Sequence, residues 1–233
     1  MSGINSTESP FFQRLSSFSD LILLNLLMLV TSIPIVTIGA SATALFYAVT
    51  KLREGEGKPF KNYFRSFREN FKQATVLWLV MLAAGAAVCY SILLYIELDK
   101  SVILACSVLA LVIWGIVNSW MFPLLSRFYC TTGAAFKNAL LCATNYLPLS
   151  LAMALVNLVP LFVFLFVPGI FVALLPLWLC IWFSFAAWCN AGLLKIPMAR
   201  LEPEEEEKAA GEETEEAPQT PEEAALPEEE TGE

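Results

Sequence analysis

Long uncharged apolar runs alternate with short polar connections along this chain. Asp, Glu, Lys and Arg are absent from residues 21–50, 73–96, 101–126 and 138–194. A run of about 18 or more such residues is long enough to cross the roughly 30 Å hydrocarbon layer of a bilayer as a helix. The pattern therefore predicts an all-α, polytopic integral membrane protein built as a helical bundle.

The apolar runs predict about five membrane spans. Residues 138–194 are too many for one crossing, and the Pro168-Gly169 pair supplies a natural reversal because it ends a helix and permits a tight turn. The predicted spans are residues 21–49, 74–96, 101–125, 145–166 and 170–192. The chain then divides into an N-terminal interfacial segment at 1–20, a transmembrane domain at 21–200 and a disordered acidic tail at 201–233.

The first span is predicted to be broken between Pro34 and Gly39. Pro34 removes a backbone donor, Gly39 adds backbone freedom, and Thr37 and Ser41 are residue types that cap a restarted helix. Either the run is one kinked span, or it is two half-helices with an irregular centre that protein or water must cover. The role of the break also has two interpretations: it is a kink that lets helices pack, or it is a hinge or half-helix junction that lines a small polar site. The candidate residues are Pro34, Thr37, Gly39 and Ser41.

The 58–73 stretch is the best-patterned polar segment. Phenylalanines recur there at helical spacing, with cationic residues on the adjacent stripe. The aromatic residues are Phe60, Phe64, Phe67 and Phe71, and the basic stripe consists of Lys61, Arg65, Arg68 and Lys72. A helix with an aromatic face beside a basic one predicts binding at the headgroup boundary, where the cations meet anionic lipid.

Charge divides the chain and predicts its orientation. Residues 202–233 carry a net charge of −14 and residues 1–201 a net charge of +6. The 51–72 connection alone holds seven Lys and Arg, and such clusters remain in the cytoplasm. We therefore expect a multi-pass protein of the cell membrane, with the 51–72 loop and the C-terminal tail in the cytoplasm. If residues 21–50 re-enter on one side, Arg14 moves to the cytoplasmic side too, so charge does not place the N-terminus.

The residue inventory argues against catalysis. The chain has no histidine, and none of its six cysteines forms a CxxC pair. Hydrolase, zinc-protease and phosphate-loop motifs are missing, and no ionisable residue lies deep in a predicted span. We expect no enzymatic activity, no catalytic residues, no cofactor, no metal and no nucleic-acid partner. The asparagines of the spans are expected to pair across helices.

Four stretches resemble the opening of the YesL family of small bacterial integral membrane proteins. They are NLLML at 25–29, SIPIVTIGAS at 32–41, ALFY at 44–47 and FRSFRENFKQ at 64–73. The resemblance covers residues 11–200 and is specific in its first third, and the acidic tail lies outside it. The role of the family is unassigned, although its members are often encoded near genes for carbohydrate uptake. The resemblance implies an association with saccharide transport and supplies no catalytic residues.

These observations favour a non-enzymatic accessory or regulatory factor linked to carbohydrate uptake. Its partners would be the lipid bilayer, with anionic lipid at the 58–73 stretch, and a membrane protein such as a sugar-transporter subunit or a second copy of itself. One alternative is a small transporter or channel for an uncharged solute. Another is a membrane-organising protein that acts on lipid through the basic, phenylalanine-rich helix.

Overall fold

The computed structural model describes residues 10–97, 101–128, 131–195 and 197, with side chains from residue 18 onward. Every regular element in these ranges is a helix, which confirms the predicted all-α class. The tail at 201–233 and the first nine residues lie outside the described residues. The compact unit described below ends at Leu194.

The helices follow one another with short connections. Their bounds are α1 Pro10–Thr31, α2 Ile38–Arg53, α3 Pro59–Glu97, α4 Ser101–Arg127, α5 Thr132–Asn145, α6 Leu147–Phe166, α7 Pro168–Ala173, α8 Leu175–Leu177 and α9 Phe183–Leu193. A single 3₁₀ turn at Ile35–Thr37 precedes α2, and a π-helical turn at Trp178–Trp182 joins α8 to α9.

Five segments are long and apolar enough to cross a membrane. They are Ile35–Arg53, Pro59–Ile96, Ser101–Arg127, Leu147–Phe166 and Leu175–Leu193. This confirms the predicted number of such segments. A sixth apolar helix, Phe18–Thr31, has 14 residues and is about 21 Å long, shorter than the hydrocarbon layer.

The predicted break in the first run is confirmed, and the two halves form an antiparallel hairpin. Leu21 and Leu24 of α1 share one buried cluster with Leu45 and Val49 of α2. In a continuous helix, Leu24 and Leu45 would lie about 31 Å apart, at 1.5 Å per residue. Of the two interpretations, two half-helices is therefore the correct one. The start of α1 consequently lies at the same end of the hairpin as the loop at 54–58.

Helix α2 is the centre of this unit. It packs against α1, α3, α4 and α9, and none of its residues from Ile38 to Leu52 is exposed. Its buried residues are mostly small: Gly39, Ala40, Ser41, Thr43, Ala44, Leu45, Ala48 and Val49. Small side chains let helix backbones approach closely, which is how membrane helices gain packing energy without a hydrophobic drive between them.

The outer helices carry the apolar surface. In α3, α4 and α6, large apolar side chains such as Tyr90, Leu109 and Leu165 are between 60% and 68% exposed. A water-soluble protein rarely exposes so much contiguous apolar surface, whereas a lipid environment favours it. This surface agrees with a multi-pass membrane protein.

Helix α3 is continuous from Pro59, so the predicted helix at 58–73 and the predicted span from residue 74 belong to one helix, whose first half packs against α1 and α2. The last span was expected to be one helix over 170–192. It is instead divided into α7, α8, a π-helical turn and α9, with Pro176 at the start of α8.

The hairpin predicts that residues 19 and 57 are accessible from the same side of the membrane. Ser19→Cys and Gly57→Cys are introduced separately into a cysteine-free chain. Both cysteines should react with a membrane-impermeant thiol reagent added to the same side of the membrane. A cysteine at Ile33, at the other end of the hairpin, should not react from that side. Labelling of positions 19 and 57 from opposite sides would contradict the hairpin.

Candidate functional site

The turn between α1 and α2 is closed by Thr37. Pro34 has an extended backbone (φ −74°, ψ 113°), and its carbonyl accepts a hydrogen bond from the Thr37 N–H at 2.9 Å. The Thr37 hydroxyl lies 2.5 Å from the carbonyl oxygen of Thr31 and 2.7 Å from that of Pro34. Thr37 is the N-cap residue of α2, yet its hydroxyl bonds back toward α1 and caps no N–H of α2.

Three hydroxyl groups meet beside this turn and join three helices. The Thr31 hydroxyl oxygen is 2.9 Å from that of Ser41 and 2.6 Å from that of Tyr63. Thr31 can donate to the carbonyl of Leu27 at 2.8 Å, and Ser41 to that of Thr37 at 3.0 Å. With those protons used, the buried Tyr63 hydroxyl is the donor to Thr31. Two of these residues, Thr31 and Tyr63, were not among the predicted break residues.

Gly39 lets α3 approach the turn. A Cβ atom at residue 39 would collide with the carbonyl oxygen of Ala74 and with the Cβ of Trp78. Trp78 also donates its indole N–H to the carbonyl of Ile35 at 2.8 Å, which satisfies a backbone group at the irregular turn. Helix α3 therefore contacts one side of the break, whereas residues 33–36 of the turn are exposed.

The four predicted break residues have separate roles in this arrangement. Pro34 and Thr37 shape the turn, Gly39 accommodates α3, and Ser41 belongs to the hydroxyl cluster. The structure thus brings them together at one end of the hairpin. Ser32, in the same turn, has a buried hydroxyl without a partner among the described residues.

The predicted amphipathic stretch at 58–73 forms the first half of α3. All four residues of the basic stripe are exposed, and Arg65 pairs with Glu69 at 2.9 Å. The phenylalanines divide into two groups: Phe60 and Phe71 are exposed, whereas Phe64 and Phe67 pack against the cluster shared by α1 and α2. Between these rings lies Tyr63, which is fully buried. The binding of this stretch to anionic lipid stays a prediction.

Asn25 joins α1 to the π-helical turn. Its side-chain N–H donates to the carbonyl of Leu179 at 2.5 Å, and its amide oxygen accepts from the backbone N–H of Ser184 at 3.1 Å. A π-helical turn shifts the backbone ladder and leaves groups without their usual partners. Asn25 supplies those partners, so this buried amide has the interhelical role that the sequence predicted.

Arg53 joins the other end of α2 to α9. Its guanidinium donates to the carbonyl of Trp188 at 2.5 Å and lies 4.6 Å from the centre of the Trp188 ring. A Cβ at Gly192 would stand only 2.9 Å from this guanidinium. A carboxylate oxygen of the neighbouring Glu54 lies 3.8 Å from a guanidinium nitrogen of Arg127 in α4. These contacts fix the loop after α2 to two further helices.

Metal and thiol chemistry find no support in the described residues. Within them, no three His, Cys, Asp or Glu side chains converge as metal ligands. Cys89, Cys106 and Cys180 are exposed among apolar residues. Cys142, in α5, is buried, and burial raises the pKa of its thiol to about 11. A thiol with that pKa stays protonated at neutral pH and behaves as a small apolar side chain.

Comparison with known proteins identifies one similarity. A family described as "Protein of unknown function, DUF624" matches residues 21–92, which are 72 of the 233 residues. It is the family to which the YesL proteins belong. No curated protein and no solved structure matches the chain. The matched segment contains the apolar part of α1, all of α2 and most of α3, and therefore the whole turn described above.

Replacing Gly39 by Leu should destabilise the protein by more than about 2 kcal/mol, because overpacking at a site bounded by backbone cannot relax through side-chain movement. The measurement is thermal unfolding in detergent, followed by the helical circular dichroism signal. Gly115→Leu is the matched control, since a Cβ at residue 115 meets no atom within 4 Å. Similar losses for both variants would contradict the close approach of α3. Gly192 would be an unsuitable control because of its contact with Arg53.

Proposed function

We propose that this chain is a non-enzymatic integral membrane protein that acts as an accessory or regulatory factor in carbohydrate uptake. Two independent features support the two parts of this proposal. The membrane-embedded core uses its polar groups to hold helices together, which supports a role through helix–helix contacts. The resemblance to YesL proteins supports the link to carbohydrate uptake.

The observation that carries the proposal is the enclosure of α2. The predicted break lies immediately before this helix, and a solute path beside α2 would require polar groups left open to water. Instead, the Thr31 and Ser41 hydroxyls donate to backbone carbonyls, the Tyr63 hydroxyl donates to Thr31, and the Trp78 indole donates to the carbonyl of Ile35. The Asn25 amide is likewise used in joining α1 to the π-helical turn.

A regulatory membrane protein needs a surface that other membrane helices can bind. The outer faces of α3, α4 and α6 offer large exposed apolar side chains, and Ala83, Ala84 and Ala87 add small residues on α3 that permit close helix contact. We further propose that the 51–72 connection and the acidic tail face the cytoplasm, on the basis of their flanking positive charges.

The alternative of a transporter for an uncharged solute is tested by reconstitution. The purified full-length chain, incorporated in liposomes, should give no flux of labelled mono- or disaccharides above that of empty liposomes. In membranes of the native host, a photoreactive group at Tyr90 should crosslink the chain to subunits of a sugar transporter. Saccharide flux through the purified chain would overturn the accessory role.

A third function, binding and organising lipid, is favoured by the exposure of the whole basic stripe. Each Lys or Arg near an anionic surface contributes about 1 kcal/mol, and salt screens that attraction. The triple replacement of Lys61, Arg68 and Lys72 by Gln should reduce the number of anionic lipids that remain bound to the purified protein in native mass spectrometry.

The matched control for the lipid experiment keeps the net charge. Arg65 and Glu69 form an ion pair, so Arg65→Gln combined with Glu69→Gln removes one charge of each sign from the same helix face. Lipid retention should be unchanged in this control. Equal retention in the triple variant and the natural chain would show that the basic stripe does not select anionic lipid.

A further inference from the structure

The middle of α6 carries an amide that is only partly used within the chain. The Asn157 side-chain N–H donates to the Ser119 hydroxyl at 3.3 Å, and its amide oxygen accepts from the Asn190 side chain at 3.0 Å. The Ser119 hydroxyl in turn donates to the carbonyl of Gly115 at 2.9 Å. This amide cluster, formed by Ser119, Asn157 and Asn190, joins α4, α6 and α9.

The amide cluster has hydrogen-bonding capacity left over. A side-chain amide offers two N–H donors and an oxygen with two lone pairs. The two contacts of Asn157 use one donor and one lone pair, so one of each remains. Asn190 is 1% exposed, and its amide oxygen has no hydrogen-bond partner among the described residues. The buried amide oxygen of Asn190 therefore lacks a partner, and Asn157, which is bonded to Asn190, still has one free N–H and one free lone pair.

Asn157 presents this capacity at the outer surface of the unit. It is exposed, and it lies in the centre of α6, ten residues after Leu147 and nine before Phe166. Its neighbours Leu158 and Leu161 are 40% and 50% exposed, so the surroundings are apolar. An amide in the hydrocarbon region is unfavourable unless its polar groups are paired. We therefore expect the free polar groups of Asn157 to bind a polar partner near the middle of the membrane.

We propose that Asn157, with Leu158 and Leu161, forms the centre of a two-fold interface between two copies of this chain. The partner is a second copy because an amide with one free donor and one free acceptor is complementary to itself. The same surface patch meets itself at a two-fold axis, as most symmetric dimers require. A two-fold axis along the membrane normal keeps the two amides at the same depth and both copies in the same orientation.

This inference does not depend on the role in carbohydrate uptake, since it concerns only how copies of the chain associate. Polar side chains that hydrogen-bond between membrane helices stabilise association modestly, and two symmetric amide bonds double the effect. Replacing Asn157 by Leu should therefore raise the dissociation constant of the dimer about tenfold. Asn157→Gln retains the amide and should keep most of the affinity.

The experiment uses the full-length chain, labelled with donor or acceptor fluorophores, in liposomes of graded protein density. Energy transfer should follow a monomer–dimer equilibrium in the natural chain and in Asn157→Gln, and shift to higher protein density in Asn157→Leu. Helical circular dichroism and unchanged insertion establish that the Leu variant is folded. A natural chain that stays monomeric at every density, or a dimer that Asn157→Leu leaves unchanged, would overturn the proposal.

Cysteine crosslinking locates the interface independently. In a cysteine-free chain, Leu161→Cys should form an intermolecular disulfide on mild oxidation, and adding Asn157→Leu should reduce its yield. Tyr90→Cys on α3 is the matched control, because residue 90 is also exposed and apolar in its surroundings but lies on another helix. Disulfide formation at residue 90 that equals or exceeds formation at residue 161 would place the dimer on a different face and overturn the proposal.

Discussion

The structure depends on how closely four helices can approach α2. Membrane helices gain little from burying apolar side chains against one another, because lipid is equally apolar, so contact distance and hydrogen bonding decide their packing. Gly39 shows the constraint most directly, since the α3 backbone at Ala74 occupies the space that any larger residue would need. The small residues of α2 extend the same principle along its length. A helix that is only moderately apolar thereby becomes the most enclosed element of the unit.

Around the enclosed α2, side chains of one segment form hydrogen bonds with backbone groups of another. Trp78 donates a hydrogen bond to the carbonyl of Ile35, Asn25 to the carbonyl of Leu179 in the π-helical turn, and Arg53 to the carbonyl of Trp188. These donors come from α3, α1 and α2 respectively, so each satisfied group also joins two segments of the chain. These polar residues act as positional restraints, and the cost of burying Asn25 is offset because its amide is hydrogen-bonded.

The sequence predicts the helical class, the number of long apolar segments and the break, because run length and Pro34 depend only on local composition. It does not predict the hairpin, since a kinked span and a folded-back pair have the same hydropathy. Tyr63 illustrates why part of the site was missed. It lies among phenylalanines that suggest a lipid-facing stripe, yet its hydroxyl bonds to Thr31, a residue 32 positions away. Such a partner follows from the path of the chain and is not encoded in the spacing of neighbouring residues.

The segment that matches a known family is also the segment that builds the enclosed helix. Residues 21–92 contain the apolar part of α1, the whole of α2 and the part of α3 that contacts the turn. Close backbone contact at Gly39 tolerates few residue types, and the hydroxyl cluster depends on the side chains of Thr31, Ser41 and Tyr63. The later helices mainly present apolar side chains to their surroundings, a condition that many sequences satisfy. The matched segment therefore coincides with the most enclosed helix of the unit, whereas the exposed amide at Asn157 lies outside it.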